Sequence, residues 1–382
     1  MPGTHALLSP SGAHRWLNCT ASPRLEQQMP DRDTEYSLEG TYAHAVCAMK
    51  LKSRLGLSYE NELKEIEALS RYHSAEVEEC TDTYVDCVLE RLQKATDSTK
   101  DALLFIENKL DFEKWIPEAY GTADAVIICD GRIEVIDFKY GKGVKVDADH
   151  NAQMMIYALG AYEKFSFEYD IIEVRMTIFQ PRLGNISSWT IPTVELLDWA
   201  EKELKPKARE AFSGKGAQRC GDWCKFCKAK PICRELANTA LSTSANHKDA
   251  RLLSNHDIED DVLPYLSTIK EWLSSVEAYV LERALGGTKY KGWKIVEGRS
   301  VRKIANQHGV INALHGLGYT DVELMKPEEL RSLTDLEKLV GKKKFAEYCG
   351  EYIIKPQGKP TLVPESDKRP EYNSATTDFQ NF

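Results

Sequence analysis

"GTADAVIICDGRIEVIDFKYG", residues 121 to 141, decides how this chain is read. The Asp130-Gly131 pair, flanked by Val126-Ile127-Ile128 and Ile133-Glu134-Val135-Ile136, is a strong signal for a two-residue hairpin turn. With those two residues as the loop, Cys129 pairs with Arg132, and counting outward sets Asp124 opposite Asp137 and Thr122 opposite Lys139. Side chains alternate along a strand, so both aspartates share a face with Val126, Ile128, Ile133 and Val135, at the rim of an apolar surface. Facing partners hold their Cβ atoms roughly 4.5–5.5 Å apart, where like charges destabilise a sheet. Something positive is expected between them.

The simplest such cation is a divalent metal, and oxygen ligands favour Mg²⁺ or Mn²⁺. Lys139 emerges on the same face as Asp137, where it is placed to position or deprotonate a water or to steady negative charge on phosphorus. The segment "HNAQMMIYALGAYEKF" (150–165) reads as a helix and carries Gln153 and Tyr157 four residues apart, hence on one face, as support for a phosphate. Glu107, on the preceding strand, is a candidate further acid.

The chain has 382 residues, 42% hydrophobic and 29% charged, with a net charge of −9, as expected of a soluble globular protein of two or three domains. It shows no leader pattern and no apolar run long enough for a membrane span, and a cytoplasmic location is expected. The acidic total does not advertise a nucleic-acid binder, but the charge is uneven. Residues 60 to 91 are rich in Glu and Asp and read as a solvated helical face. Residues 219 to 234 carry Arg219, Lys225, Lys228, Lys230 and Arg234 against Asp222 alone, a local basic surface suited to phosphate.

The periodicity predicts an N-terminal helical region over 1–100. "ALLFIENKL" (102–110), "TADAVIIC" (122–129), "RIEVIDFKY" (132–140) and "IIEVRMTIF" (171–179) read as strands, and 193–212 as helix, which makes 101–215 an α/β core. A cysteine segment follows at 216–240. The composition turns polar beyond Leu236, a boundary before a mostly helical C-terminal domain at 250–355, in which 291–300 reads as a strand pair; 356–382 is an extended tail.

Ten cysteines in such a chain point to metal or cluster binding plus buried thiols rather than disulfides. "CGDWCKFCKAKPICRE" holds Cys220, Cys224, Cys227 and Cys233, whose spacing alone admits either zinc or an iron–sulfur cluster. Trp223 and Phe226 either stack on bases there or pack around the bound group. Cys47, Cys80, Cys87, Cys129 and Cys349 lie singly in apolar or helical patterns and read as buried thiols.

Taken together, Asp124 in "GTAD", Asp137-Phe138-Lys139, and Gln153 with Tyr157 resemble the signature of the RecB-like branch of the PD-(D/E)XK nucleases. The resemblance implies a restriction-endonuclease-like α/β core, a small mixed sheet flanked by helices. It implies that His44, following Gly40 in "EGTYAHAVCA", joins Asp124, Asp137 and the backbone carbonyl of Phe138 in holding Mg²⁺ or Mn²⁺, while Lys139 serves the attacking water. The second acid is aspartate where glutamate is commoner. Cys224, Cys227 and Cys233 are similar to the C-x-x-C-x5-C of nucleases resembling AddB, which with an upstream cysteine, matched by Cys19 in "RWLNCTASPRLE", implies a [4Fe–4S] cluster. Cys220 is then the odd one; the local quartet with Cys220 favours zinc instead. The whole chain also resembles a family of phage and prophage proteins encoded among replication and recombination genes, through "GWKIVEGRSVRKI" and "KPTLVPESDKRP".

The expected activity is therefore metal-dependent DNA hydrolysis, exonuclease rather than site-specific endonuclease, on DNA that is single-stranded or has free ends. The implied partners are DNA and a phage single-strand-binding or recombination protein, with no membrane. The rival expectations are a nuclease fold that binds DNA or a recombination partner without cutting, and an interaction protein in which only the cysteine segment matters.

Overall fold

The computed structural model describes residues 6–30, 33–242, 255–298, 302–326, 329–354, 356, 360–364 and 369–372. The chain divides into two compact units between Trp272 and Leu273. The polar stretch at which composition alone placed the boundary falls largely on residues 243–254, outside the described ones, and most of the tail after 356 does too.

In the first unit two short helices, α1 (Ala13–Asn18) and α2 (Ser22–Glu26), precede the long α3 (Glu35–Arg54). Thr34 starts α3: its hydroxyl accepts the Ser37 N–H at 3.0 Å, and Ser37 Oγ accepts the Thr34 N–H at 2.8 Å. This reciprocal cap satisfies donors that a helix start otherwise leaves bare. The acidic helical stretch is made of two helices, α4 (Glu60–Ala68) and α5 (Ala75–Ser98), separated at Ser70–His73, the latter capped by Ser74.

Strands β1 (Leu103–Asp111), β2 (Tyr120–Cys129) and β3 (Gly131–Phe138) are followed by α6 (Ala152–Phe165), β4 (Ile171–Gln180) and β5 (Asn185–Pro192). They form one mixed sheet in the order β1-β2-β3-β4-β5. Only β3 and β4 run parallel, and α6 supplies the long crossover that a parallel pair needs. Helix α7 (Thr193–Trp199) continues through a π turn, Ala200–Leu204, into α8 (Lys205–Ser213).

The alternation expected of the hairpin is what builds the two cores. Val126, Ile128, Ile133 and Val135 bury with Met155, Ile156 and Leu159 of α6 on one face. Ala125, Ile127, Ile136 and Phe138 bury with Val46 and Leu51 of α3 and Tyr84 and Val88 of α5 on the other. Arg182 ties that second layer down: it reaches Glu39 of α3 at 3.3 Å and Glu76 of α5 at 2.8 Å and lies over the Tyr140 ring. Strand β5 was not legible in the sequence. It is an edge strand with alternating partial exposure and Ile186 57% exposed, so it carries no apolar run to announce it.

Beyond the cysteine segment lie α9 (Arg234–Ser242), the single turn α10 (Asn255–Asp257) and α11 (Leu266–Leu285), within which the division of units falls. The second unit holds β6 (Trp293–Glu297), β7 (Lys303–Ile304), α12 (Gln307–Gly316), α13 (Asp321–Leu324), β8 (Met325–Lys326), β9 (Glu329–Leu330), α14 (Leu333–Val340), α15 (Lys342–Cys349), β10 (Ile353–Ile354) and β11 (Pro360–Pro364). Its small core centres on Val310, Leu314, Leu336 and Phe345. The mostly helical expectation holds for 305–349, but β6 pairs with distant β11 rather than with a hairpin neighbour. Among the described residues no helix is long and apolar enough to cross a membrane.

Candidate metal centre

The β2–β3 ladder runs in the expected register from Cys129↔Arg132 to Ala125↔Ile136 and stops there. The next residues outward are Asp124 and Asp137. Beyond this point β2 stays with β1, through Ala123↔Asn108, while β3 stays with β4, through Phe138↔Phe179. The hairpin opens like a fork. Asp124 fills the gap by accepting the Phe138 backbone N–H on Oδ2 at 2.7 Å, and the Lys139 N–H goes to the Phe179 carbonyl, so Thr122 and Lys139 do not pair.

Two sets of side chains converge on the fork. On one side, His44 Nδ1 of α3 lies 3.2 Å from Asp124 Oδ1. Ligand atoms of His44, Glu107 and Asp124 all lie within 4.8 Å of one another, the one such His, Cys, Asp or Glu group among the described residues. On the other side, Lys139 Nζ lies 2.9 Å from Asp137 Oδ2 and donates to Gln153 Oε1 at 3.1 Å, while Gln153 Nε2 donates to Asp137 Oδ1 at 3.2 Å. The positive charge expected between the aspartates is thus supplied by Lys139 and His44. Tyr157 is buried one turn along α6, its ring 6.1 Å from Phe112, and a Cβ on Gly121 would press on it at 3.2 Å. Phe138 contributes its N–H, and its ring stands edge-on to His44.

Glu107 sits opposite Asp124 between the pairs Ile106↔Ala125 and Asn108↔Ala123, with φ +48°. A left-handed glutamate in mid-strand is strained. That strain turns its carboxylate into the group, a placement the period of the strand alone does not give. Glu62 and Glu65 of α4 line a cavity of about 470 Å³ with Tyr36, Gly40, His44 and Glu107. The sequence read them as a solvated face, because nothing local in α4 encodes its packing on α3.

The electrostatics have one common cause, crowded carboxylates in a buried place. Burial pushes the His44 imidazole down, but Asp124, then Glu107 and Asp137, raise it to about 9. Burial and the Asp124 charge push Glu107 up to about 8. Burial raises Asp137 more than Lys139 lowers it. Against its own burial, Asp124 is held low by His44, the Phe138 N–H and Lys139. Lys139 is kept an ammonium by Asp137 and Asp124. The imidazole and carboxylate donors of His44, Glu107 and Asp124 fit a divalent metal cation.

The cysteine segment docks on the N-terminal helices. Ala21 N–H reaches the Ala217 carbonyl at 3.3 Å, Ala217 N–H reaches Thr20 Oγ1 at 3.0 Å, and Lys228 N–H reaches Glu26 Oε1 at 2.8 Å. These bonds carry Cys19 across some 200 residues to the segment. Burial raises the Cys224 thiol, and the thiols of Cys19 and Cys233 act on it in the same direction, while Cys220 bonds to it. Burial pushes Cys220 up to about 11 and Cys227 to about 12. Trp223 packs edge-on to His14 and gives its indole N–H to the Arg219 carbonyl at 2.9 Å, whereas Phe226 is 70% exposed. Cys47, Cys80, Cys129 and Cys349 are buried and Cys87 half-buried, all as free thiols.

These elements define a mixed α/β protein, a five-stranded sheet flanked by helices, with a group of His, Glu and Asp able to hold a metal at its open hairpin. The chain belongs to the family described as "Protein of unknown function (DUF2800)", whose profile matches residues 5–370. Among solved structures it is similar to SSO0001, at 16% identity over 56% of this chain and 95% of that one, with a TM-score of 0.22. It is also similar to a "Putative exonuclease" from Eubacterium rectale, at 11% identity over 67% of this chain and 93% of that one, with a TM-score of 0.32.

Proposed function

We propose that the first unit is a metal-dependent DNA nuclease of the PD-(D/E)XK superfamily, RecB-like in its motifs, acting as an exonuclease in phage or prophage replication and recombination. The observation that carries this reading is the fork itself. Asp124, His44 and Glu107 form one group able to hold a metal, and next to it Asp137 of the neighbouring strand lies against Lys139 and Gln153. A module that only binds has no use for carboxylates crowded together in a largely buried place, whose desolvation is costly even when each is paired.

His44, Glu107, Asp124 and Asp137, with the Phe138 carbonyl, are the residues that would hold Mg²⁺ or Mn²⁺. When bound, the cation supplies Lewis-acid polarisation of a phosphoryl oxygen and lowers the pKa of water. The chain's own part follows from the geometry. Lys139 carries three donors, one of which is given to Gln153 while its charge rests beside Asp137, so donor capacity is left to orient a water or a phosphoryl oxygen. Gln153 fixes the lysine, and buried Tyr157 beneath it keeps that face of α6 in place.

In the cysteine segment, Cys19, Cys224, Cys227 and Cys233 would hold a [4Fe–4S] cluster, with Cys220 alongside. The docking of the Cys19 region on the segment supports this over the local quartet with Cys220. The cluster's role is to staple the N-terminal helices to the segment, as four thiolates on one inorganic group do.

The test is degradation of end-labelled linear single- and double-stranded DNA with Mn²⁺ or Mg²⁺, comparing wild type with Asp137→Ala and Lys139→Ala. Loss in both variants is expected, and the label pattern gives polarity. Intact DNA with wild type, or equal cutting by all three, would move the reading to a silent binding module. Absorbance of anaerobically purified protein tests the cluster: a broad band near ~400 nm is expected, and a colourless zinc-containing preparation overturns it.

A further inference from the structure

The second unit carries a cationic, aromatic cavity that the nuclease reading does not use. In a chain of net charge −9, the segment Thr288–Lys294 holds Lys289, Lys291 and Lys294 and no acid. These lysines line a cavity of about 780 Å³ together with Tyr290, Trp293 and Tyr372. No lysine of the three makes an ion pair with a described residue. Among the described residues Glu371 is the one carboxylate at the wall, and its backbone is tied to the sheet through its bridge to Val296.

The backbone shows how the groups are brought together. Tyr290 to Trp293 is a β-turn, closed by the Trp293 N–H on the Tyr290 carbonyl at 3.1 Å, with Gly292 at φ +81° in its third position. That left-handed φ is why glycine stands there, and the turn throws Lys291 outward at its tip. Strand β6 then starts at Trp293, which remains 50% exposed. On the other edge of β6 from β11, the Tyr372 N–H bonds to the Ile295 carbonyl at 2.6 Å, which places a third ring at the same cavity.

We infer that this cavity of the second unit binds single-stranded nucleic acid, with Lys289, Lys291 and Lys294 on the phosphates and Trp293, Tyr290 and Tyr372 offering faces to unstacked bases. Unpaired lysines alone would serve solubility. What distinguishes this place is that the cations and the ring faces share one concavity, the combination by which single strands are held without reading sequence. Duplex bases are already stacked and cannot use the rings. The inference stands apart from hydrolysis at the fork.

The experiment is fluorescence anisotropy of a labelled oligo-dT and an oligo-rU with the full chain in EDTA, across a salt series, with a duplex arm. Compared are wild type, the triple variant Lys289→Gln/Lys291→Gln/Lys294→Gln, Trp293→Ala, the triple Lys→Arg variant, and a control triple Lys342→Gln/Lys343→Gln/Lys344→Gln on α15. The cavity triple is expected to lose about tenfold or more in affinity for DNA or RNA strands, with a salt slope shallower by about 2, near 0.7 for each phosphate no longer neutralised. Trp293→Ala is expected to lose about tenfold, as removal of one stacking ring does, and the arginine variant is expected to bind as wild type. Equal losses from the α15 control, unchanged binding by the cavity triple, stronger binding of the duplex, or displacement by poly-glutamate as effective as by oligo-dT would each overturn the inference. Mn²⁺-dependent cutting by the same proteins is scored separately. Strand binding lost in the cavity triple from a protein that never cuts DNA keeps this inference and sinks the nuclease reading.

Discussion

Phe138 donates its backbone N–H to Asp124 Oδ2 at 2.7 Å, where an undisturbed hairpin would have given it to a neighbouring strand. The carboxylate thus does two jobs, closing an orphaned backbone group and holding His44 at 3.2 Å. Asp124→Asn separates them, since an amide oxygen still accepts from Phe138 but carries no charge. The variant is expected to fold with an unchanged circular dichroism spectrum, while Mn²⁺-dependent hydrolysis falls by on the order of 100-fold or more, the scale of losing one preorganised electrostatic group. Cleavage at wild-type rates would remove Asp124 from the metal set.

The crowding at the fork has a pH signature in the metal-free protein. His44 is raised from 6.5 to about 9, so its contribution to stability is complete below pH 6.5 and is lost as pH rises through 9. Glu107 is raised from 4.5 to about 8, so the folded state again holds the extra proton and loses stability between those values. Both act in the same direction. The melting temperature in EDTA is expected to fall from pH 6.5 to pH 9, and saturating Mn²⁺ is expected to flatten that fall by binding the deprotonated ligands. A metal-free curve that stays level or rises across this window would show the groups are not crowded as described.

What the sequence made legible was local. The Asp-Gly turn and the strict alternation on both sides of it specify the register from Cys129↔Arg132 to Ala125↔Ile136, but the expected pairs Asp124 with Asp137 and Thr122 with Lys139 do not form, because the ladder opens before them. The four-residue step from Gln153 to Tyr157 likewise follows from helix geometry, and Gln153 does reach Asp137. What it did not specify was where the ladder would open and what the neighbouring elements would bring. The left-handed φ of Glu107 and the proximity of Glu65 to His44 arise from packing between β1, α3 and α4. Strand β5 escaped because an edge strand with mixed exposure needs no apolar face, and the partner of β6 lies too far along the chain for any turn signal to mark it.

Gly216 gives a test of how Cys19 reaches the cysteine segment. A Cβ there would stand 2.3 Å from the Thr20 carbonyl carbon and 2.4 Å from its oxygen, both backbone atoms that cannot rotate aside. Gly216→Ala must therefore push apart the joint made by Thr20 and Ala21 with Ala217. The expected outcome is a preparation with markedly less iron and absorbance per chain than wild type, at a cost of about 1–3 kcal/mol in stability from overpacking. Cys220→Ser, in contrast, is expected to keep its iron. Full loading of Gly216→Ala together with loss in Cys220→Ser would assign the fourth ligand to Cys220 instead of Cys19.

Lys139 compensates a carboxylate that is otherwise sealed in. Asp137 is only 4% exposed, lies 2.9 Å from Lys139 Nζ as an ion pair and accepts from Gln153 Nε2 at 3.2 Å. Lys139→Met removes the cation and keeps the stem volume. Removing one partner of a buried pair costs about 3–5 kcal/mol while the other stays charged, but Asp137 already leans toward its neutral form, and protonation limits the loss. At pH 7 the variant is expected to be about 2 kcal/mol less stable than wild type by urea denaturation without metal, on the scale of losing a hydrogen bond to a charged group. The sign of the pH dependence follows from the proton. The variant's Asp137 binds one more readily than the wild type's, so the deficit shrinks as pH falls toward the carboxylate range. A deficit that is the same at low pH as at pH 7 would trace the effect to lost packing of the lysine stem and take the ion pair out of the account of the site.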